Sequence, residues 1–167
     1  EYSADHWHSR KFISGFSGSA GTIVVLAEGG ALWTDGRYHI QAEEELRGSG
    51  LALQKQGLPD TPSIEAWLVS QLPESARVGL DGRTFNLTTI EQWLPSFQRS
   101  KLELVSDLDL IDTVWNERPP LPQQPIFEHD LQYAGQSREE KIAGLRDYLK
   151  QNQLTHLLVA ALDDVAW

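Results

Sequence analysis

The 167-residue chain has no cysteine, which removes disulfides and thiolate metal sites from consideration and fits a reducing compartment. It is poor in positive charge, with 14 Lys and Arg against 24 Asp and Glu and a formal net charge of -10. A nucleic-acid partner is therefore disfavoured, because phosphate binding draws on clustered Lys and Arg. Acidity suits solubility or a basic partner. No apolar run approaches the roughly 20 residues that cross a bilayer, and no signal-peptide pattern opens the chain. The expectation is a cytoplasmic protein with no membrane contact. Hydrophobic residues still make up 40% of the sequence, enough to bury a real core.

What is present is organised around Phe12 to Leu46. A glycine-rich loop, Gly15 to Gly21, feeds the apolar run Thr22-Ile23-Val24-Val25-Leu26. Gly29-Gly30 then turns the chain into Ala31-Leu32-Trp33-Thr34, a hairpin signal. Ile40, Ala42 and Leu46 recur at helical spacing, with Glu43, Glu44 and Glu45 between them. Further on, Leu51 to Gln56 reads as a strand. Thr61 is expected to cap a helix with Pro62 at its first position and an apolar stripe of Ile64, Trp67, Leu68 and Leu72. Arg77 to Asp81 reads as a strand, Thr88-Thr89-Ile90-Glu91 as a capping box, and Pro95 as a kink in the helix that follows. Lys101 to Val105 alternates as a strand, and Leu110 to Trp115 suggests one or two helical turns.

Pro119, Pro120, Pro122 and Pro125 make an extended connector. Beyond it Ser137-Arg138-Glu139-Glu140 reads as a capping box, with Ile142, Leu145 and Leu149 on one helical face and Leu157 to Ala161 as a buried strand. Alternating strands and helices predict an α/β domain with a mixed β-sheet flanked by helices. The division expected is residues 1–118 as a first domain, 119–136 as a Pro-rich linker and 137–167 as the beginning of a second, similar domain.

The polar candidates read mostly as structural. His6 and His8 flank Trp7 on one face if extended, but no third metal ligand is near, where a catalytic zinc normally has three protein ligands. The Gly15 to Gly21 loop has no Lys and leads into a strand, so it is not a phosphate loop. Nor is it a nucleophile elbow, because Ser19 stands where Gly is needed. Its glycines are expected to supply unusual dihedrals or close approach. Asp35 is expected to cap a helix beginning at Gly36, and Arg37 to pair locally or to stack on Trp33 or Tyr38. Asp107, Asp109, Asp112, Asp163 and Asp164 read as solvated or capping carboxylates.

Three ordered blocks carry a resemblance: S-G-F-S-G-S-A-G-T at Ser14 to Thr22, L-W-T-D-G-R-Y at Leu32 to Tyr38, and Q-A-x-x-E-L at Gln41 to Leu46. Together they closely resemble the N-terminal domain of aminopeptidase P, the Xaa-Pro aminopeptidases of the creatinase and prolidase superfamily, in the long three-domain form. Asp112 to Pro119 resembles the end of that family's first domain. His39 departs from the pattern, where relatives often carry an aromatic. The resemblance implies the creatinase/prolidase N-terminal domain fold and places a helix and a strand before Glu1. It places a catalytic domain after Trp167, with two divalent metals, usually manganese, held by two Asp, one His and two Glu. That implies no catalytic, cofactor or metal residue in this chain, with Trp33, Asp35, Arg37 and Tyr38 as candidate cleft or interface contacts. The implied partners are the protein's own catalytic domain, a second copy in a homodimer, and a peptide with proline at its second position. An alternative is a binding module that has lost the metal ligands and takes a basic partner such as a histone, which the charge of -10 would suit.

Overall fold

The computed structural model describes residues 3–167, which fall into two compact units divided between Pro122 and Gln123. In the first unit, a 3-10 turn at Asp5–Trp7 leads into α1 (Ser9–Ser14), and then the expected hairpin forms from β1 (Thr22–Val25) and β2 (Gly30–Thr34). The helix α2 (His39–Glu45) crosses to β3 (Leu51–Lys55), which pairs parallel to β2, while β1 pairs antiparallel on its other side. This is the mixed sheet. After α3 (Ile64–Gln71), the strand β4 (Arg77–Gly79), the helix α4 (Leu87–Arg99) and the strand β5 (Glu103–Val105) form a second parallel pair.

The central strand β2 is buried on both faces, and its period-2 alternation splits the core. Leu32 packs with Phe16, Ala42 and Leu46, whereas Trp33 meets the ring of Trp67 on α3 edge-on at 5.2 Å. A second cluster gathers Leu68, Leu80, Trp93, Phe97 and Leu102, and Val24 and Leu26 pack against it. Each fully buried large side chain contributes roughly 1.5–3 kcal/mol. The expected stripe on α3 is present: Leu68 is buried, and Ile64, Trp67 and Leu72 pack against the second cluster.

Several local expectations are corrected. The N-terminal segment is coiled rather than extended, so His6 and His8 have separate partners, the Pro119 carbonyl and the Asp5 carboxylate. The helix after β2 starts at His39, not Gly36, and Ile40 points outward, 76% exposed. Ser63, not Thr61, precedes α3, because Thr61 donates its hydroxyl to the Lys55 carbonyl instead. Asn86 rather than Thr88 caps α4, accepting the Thr89 amide at 2.8 Å, and α4 runs on through Pro95. Residues 110–114 form hydrogen-bonded turns rather than a helix.

In the second unit, α5 (Leu131–Ala134) is capped by Asp130 and α6 (Arg138–Gln151) by the expected box of Ser137 and Glu140. The short α7 (Leu162–Ala166) follows. Leu157 to Ala161 is not a strand, and Leu158 is 90% exposed. A strand needs a pairing partner for its amides and carbonyls, and this unit offers none among its described residues.

Candidate functional site

Ligand sites in open α/β sheets lie outside the carboxyl ends of the strands. Here the segment after β2, residues 35–38, and the segment after β3, residues 56–63, leave from that end. Because β1 is antiparallel, with Thr22 opposite Trp33, the Gly15 to Gly21 loop arrives there too. Local chemistry holds the three together. Gly15 closes α1 in the left-handed conformation, φ 75°, its amide donating to the Lys11 carbonyl. Gly18 sits against the Phe16 ring, where an added Cβ would collide with Cζ. Arg10 donates to the carbonyls of Gly18 and Gly21. Ser17, in the same loop, donates its amide and hydroxyl to the Glu45 carboxylate at 2.8 and 2.7 Å.

The four candidate residues do not share one role. Trp33 is 1% exposed, and its indole Nε1 donates to the Pro62 carbonyl, which makes it core. Asp35, Arg37 and Tyr38 do come together. Asp35 caps no helix; its Oδ1 accepts the Arg37 amide at 3.1 Å and Nε at 2.9 Å, and its Oδ2 accepts Nη2 at 2.8 Å. Those side-chain and then backbone bonds from Arg37 hold the Asp35 carboxyl at about 2, below the ordinary carboxylate range. The Arg37 guanidinium lies over the Tyr38 ring at 5.2 Å. The Tyr38 hydroxyl meets Ser19 Oγ at 2.6 Å, which lowers the phenol's pKa.

Beside this corner, an open groove of about 370 Å³ runs between the segment after β3 and the start of α4, with Trp33, Pro62, Ile64 and Trp93 in its walls.

Sequence reasoning missed a second polar cluster. Arg83 forks onto Asp81, and the Asp109 carboxylate accepts Arg83 Nη2 at 2.6 Å and Arg118 Nη1 at 2.7 Å. Both guanidiniums lie over Trp7, at 5.1 and 5.7 Å. Arg118, with its side chain 5% exposed, also donates from Nε to the His6 carbonyl at 3.0 Å, and His6 Nδ1 donates to the Pro119 carbonyl at 2.8 Å. A signal for it existed in the sequence, the repetition of Asp-Gly-Arg at residues 35–37 and 81–83.

Most of these polar groups are engaged with one another, in the Asp35–Arg37 fork and in the ion pairs of Arg83, Asp109 and Arg118. Among the described residues, no three His, Asp or Glu side chains converge as a metal would require. Asp109 is committed to two guanidiniums and the Asp112 amide, and Asp107 lies in an isolated backbone bridge to Asp81. These residues therefore do not fit a dinuclear metal centre.

Comparison with known proteins adds the family context. Residues 6–114 match the family model of the creatinase/prolidase N-terminal domain, and residues 117–167 match a second model of the same description. The chain is 39% identical over 168 residues to aminopeptidase P1 of Arabidopsis thaliana, covering 100% of this chain and 26% of that protein. It is 41% identical over 172 residues to the Xaa-Pro aminopeptidase ApepP of Drosophila melanogaster, covering 100% of this chain and 27% of that one. The chain thus spans about a quarter of the length of the curated relatives it matches. Among solved structures, the X-prolyl aminopeptidase of Caenorhabditis elegans, described as a cytosolic enzyme with a di-nuclear active site, superposes with a TM-score of 0.76 at 35% identity. That match covers 92% of this chain and 25% of the worm protein.

Proposed function

The chain belongs to the creatinase/prolidase N-terminal domain family, and from that membership we propose that it is the non-catalytic N-terminal portion of an Xaa-Pro aminopeptidase. The observation that carries this is end-to-end similarity to aminopeptidases P of about four times its length; consistent with it, no three His, Asp or Glu side chains converge on a metal position among the described residues. The substrate of the whole protein is a peptide with proline at its second position. The chemistry, with two divalent metals such as manganese, belongs to a catalytic domain outside residues 1–167. This portion walls the substrate cleft and contributes to a homodimer in the cytoplasm. Asp35, Arg37 and Tyr38 supply the contacts, whereas Trp33 supports them from the core.

Within the chain, residues 1–118 act as the first domain, 119–136 as the connector and 137–167 as the opening of a second domain of the same type. The separate family-model match over residues 117–167 supports this division. The test is turnover of an Xaa-Pro peptide with manganese present. The 167-residue chain is expected to give none and the longer polypeptide carrying it to be active. Comparable turnover by both, or none by either, rejects the proposal.

A further inference from the structure

The first unit carries the same tripeptide twice, as Asp35-Gly36-Arg37 and as Asp81-Gly82-Arg83. Each aspartate is forked by its arginine. Oδ1 accepts the Arg amide at 3.1 and 3.0 Å and Nε at 2.9 and 2.8 Å, and Oδ2 accepts Nη2 at 2.8 and 2.7 Å. Asp-Gly is also a dipeptide in which the backbone can attack its own side chain. With no Cβ on the second residue, that residue's amide nitrogen can swing onto the aspartate Cγ.

Beyond the shared fork the two sites differ. The Gly82 amide donates to the Ser106 carbonyl at 3.0 Å, which pins the peptide plane that would have to turn. A Cβ at Gly82 would lie 2.7 Å from that same oxygen. The Gly36 amide has no acceptor among the described residues, and nothing lies within 4 Å of a Cβ built there. The forks are supported unequally as well. Arg83 is also held by Asp109, and the Asp81 side chain is 17% exposed. Among the described residues Arg37 pairs with Asp35 alone, and the Asp35 side chain is 37% exposed.

We propose that Asp35-Gly36 is a site of spontaneous isomerisation to isoaspartate, and that the Arg37 fork is the brake on it. The Gly36 nitrogen bonds to Asp35 Cγ, while one carboxylate oxygen leaves as water with the amide proton and a proton from solvent. The product is a succinimide ring. Water then opens the ring at Cγ, restoring aspartate, or at the main-chain carbonyl, which routes the backbone through the side chain. Water is the only reagent. The fork hinders ring closure in two ways: it ties down both carboxylate oxygens, and it keeps the group ionised, with a pKa of about 2, whereas loss of an oxygen as water needs the protonated form. Isoaspartate here adds a methylene to the turn after β2 and parts Asp35 from Arg37, so the corner of Arg37, Tyr38 and Ser19 loses its anchor.

The test is ageing of the 167-residue chain at neutral pH in heavy-oxygen water, followed by mass spectrometry of the peptides containing Asp35 and Asp81. An isoaspartyl methyltransferase assay gives a second readout. Because the tripeptide is the same, each site controls for the other. In the folded chain Asp35 is expected to take up label and isomerise about tenfold faster than Asp81, the combined scale of one backbone hydrogen bond and one exposed ion pair. In denaturing urea the two rates converge. Arg37→Gln is expected to speed the reaction at Asp35 by about two- to fivefold and to leave Asp81 unchanged, which also reports that the variant is folded. Arg37→Lys, which keeps the charge without the fork, falls between. Gly36→Ala, whose added Cβ meets nothing in the fold, slows the reaction. Equal rates at the two sites in the folded chain, a faster reaction at Asp81, or a rate at Asp35 indifferent to Arg37→Gln overturns the proposal. So does a preference for Asp35 that persists in urea.

Discussion

The indole Nε1–H of Trp33 donates to the carbonyl of Pro62 at 2.9 Å, tying the last turn of chain before α3 to the end of β2. The bond satisfies the one polar atom of a buried indole and leaves the rest of the ring for the contact with Trp67. Trp33→Phe keeps most of the apolar bulk but leaves the Pro62 carbonyl without its donor, and is expected to cost about 1–2 kcal/mol. Trp33→Ala also opens a cavity and is expected to cost about 3–5 kcal/mol. Urea unfolding of the purified chain measures both, and near-equal costs would contradict the assigned bond.

Gly18 and Gly36 offer a contrast between two glycines of one surface. A Cβ at Gly18 meets the Phe16 ring, whereas at Gly36 nothing lies within 4 Å. Gly18→Ala is expected to destabilise by about 1–3 kcal/mol, the usual cost of overpacking, and Gly36→Ala to stay within about 0.5 kcal/mol. Thermal unfolding of the two variants compares them directly.

The cap of α4 separates two neighbouring hydroxyl and amide side chains. Asn86 accepts the Thr89 amide, while Thr88 is already inside the helix. Asn86→Ala is expected to lose about 1 kcal/mol and Thr88→Ala much less. Denaturant midpoints at unchanged slope would record the difference; the reverse order would restore Thr88 as the cap.

Asp109 makes the fold sensitive to acid. Burial acts to raise its pKa, but the bonds from Arg118, the Asp112 amide and Arg83 outweigh it and the net shift is downward. Asp81 is lowered as well, chiefly by its bond from Arg83. With native pKa values below the unfolded value of about 3.9, the unfolded chain binds more protons as pH falls. The stabilisation is therefore complete above about pH 4 and is lost as pH drops through the native values. Asp109→Asn, which leaves Arg118 buried without its main counter-charge, is expected to cost about 3 kcal/mol at neutral pH and to flatten the acid limb of a stability profile.

Features set by neighbours in sequence were legible before any coordinates. The β1–β2 hairpin follows from Gly29-Gly30 between apolar runs, the α3 stripe from its spacing, and the Ser137 box from residues three apart. Caps were displaced where two candidates stand close together, as Thr61 does to Ser63 and Thr88 to Asn86. The choice between them depends on which helical register buries the apolar face and which hydroxyl finds another acceptor. The cluster of Arg83, Asp109 and Arg118 joins three distant segments, and the repeated Asp-Gly-Arg marks only its Asp81–Arg83 part, leaving Asp109 and Arg118 without a local signature. Trp33 was drawn to the surface by its neighbours Asp35 and Arg37, although alternation along β2 turns it inward toward α3. Leu157 to Ala161 has the composition of a strand, but pairing is a property of two segments and the second is not supplied locally.

The bonds that join His6 to Arg118 and Pro119 clasp stretches 112 and 113 positions apart in the chain. Closing so long a loop costs conformational entropy before any contact repays it, so this clasp is expected to be tied late as the first unit folds, after the hairpin and the parallel pairs have already gathered the segments between.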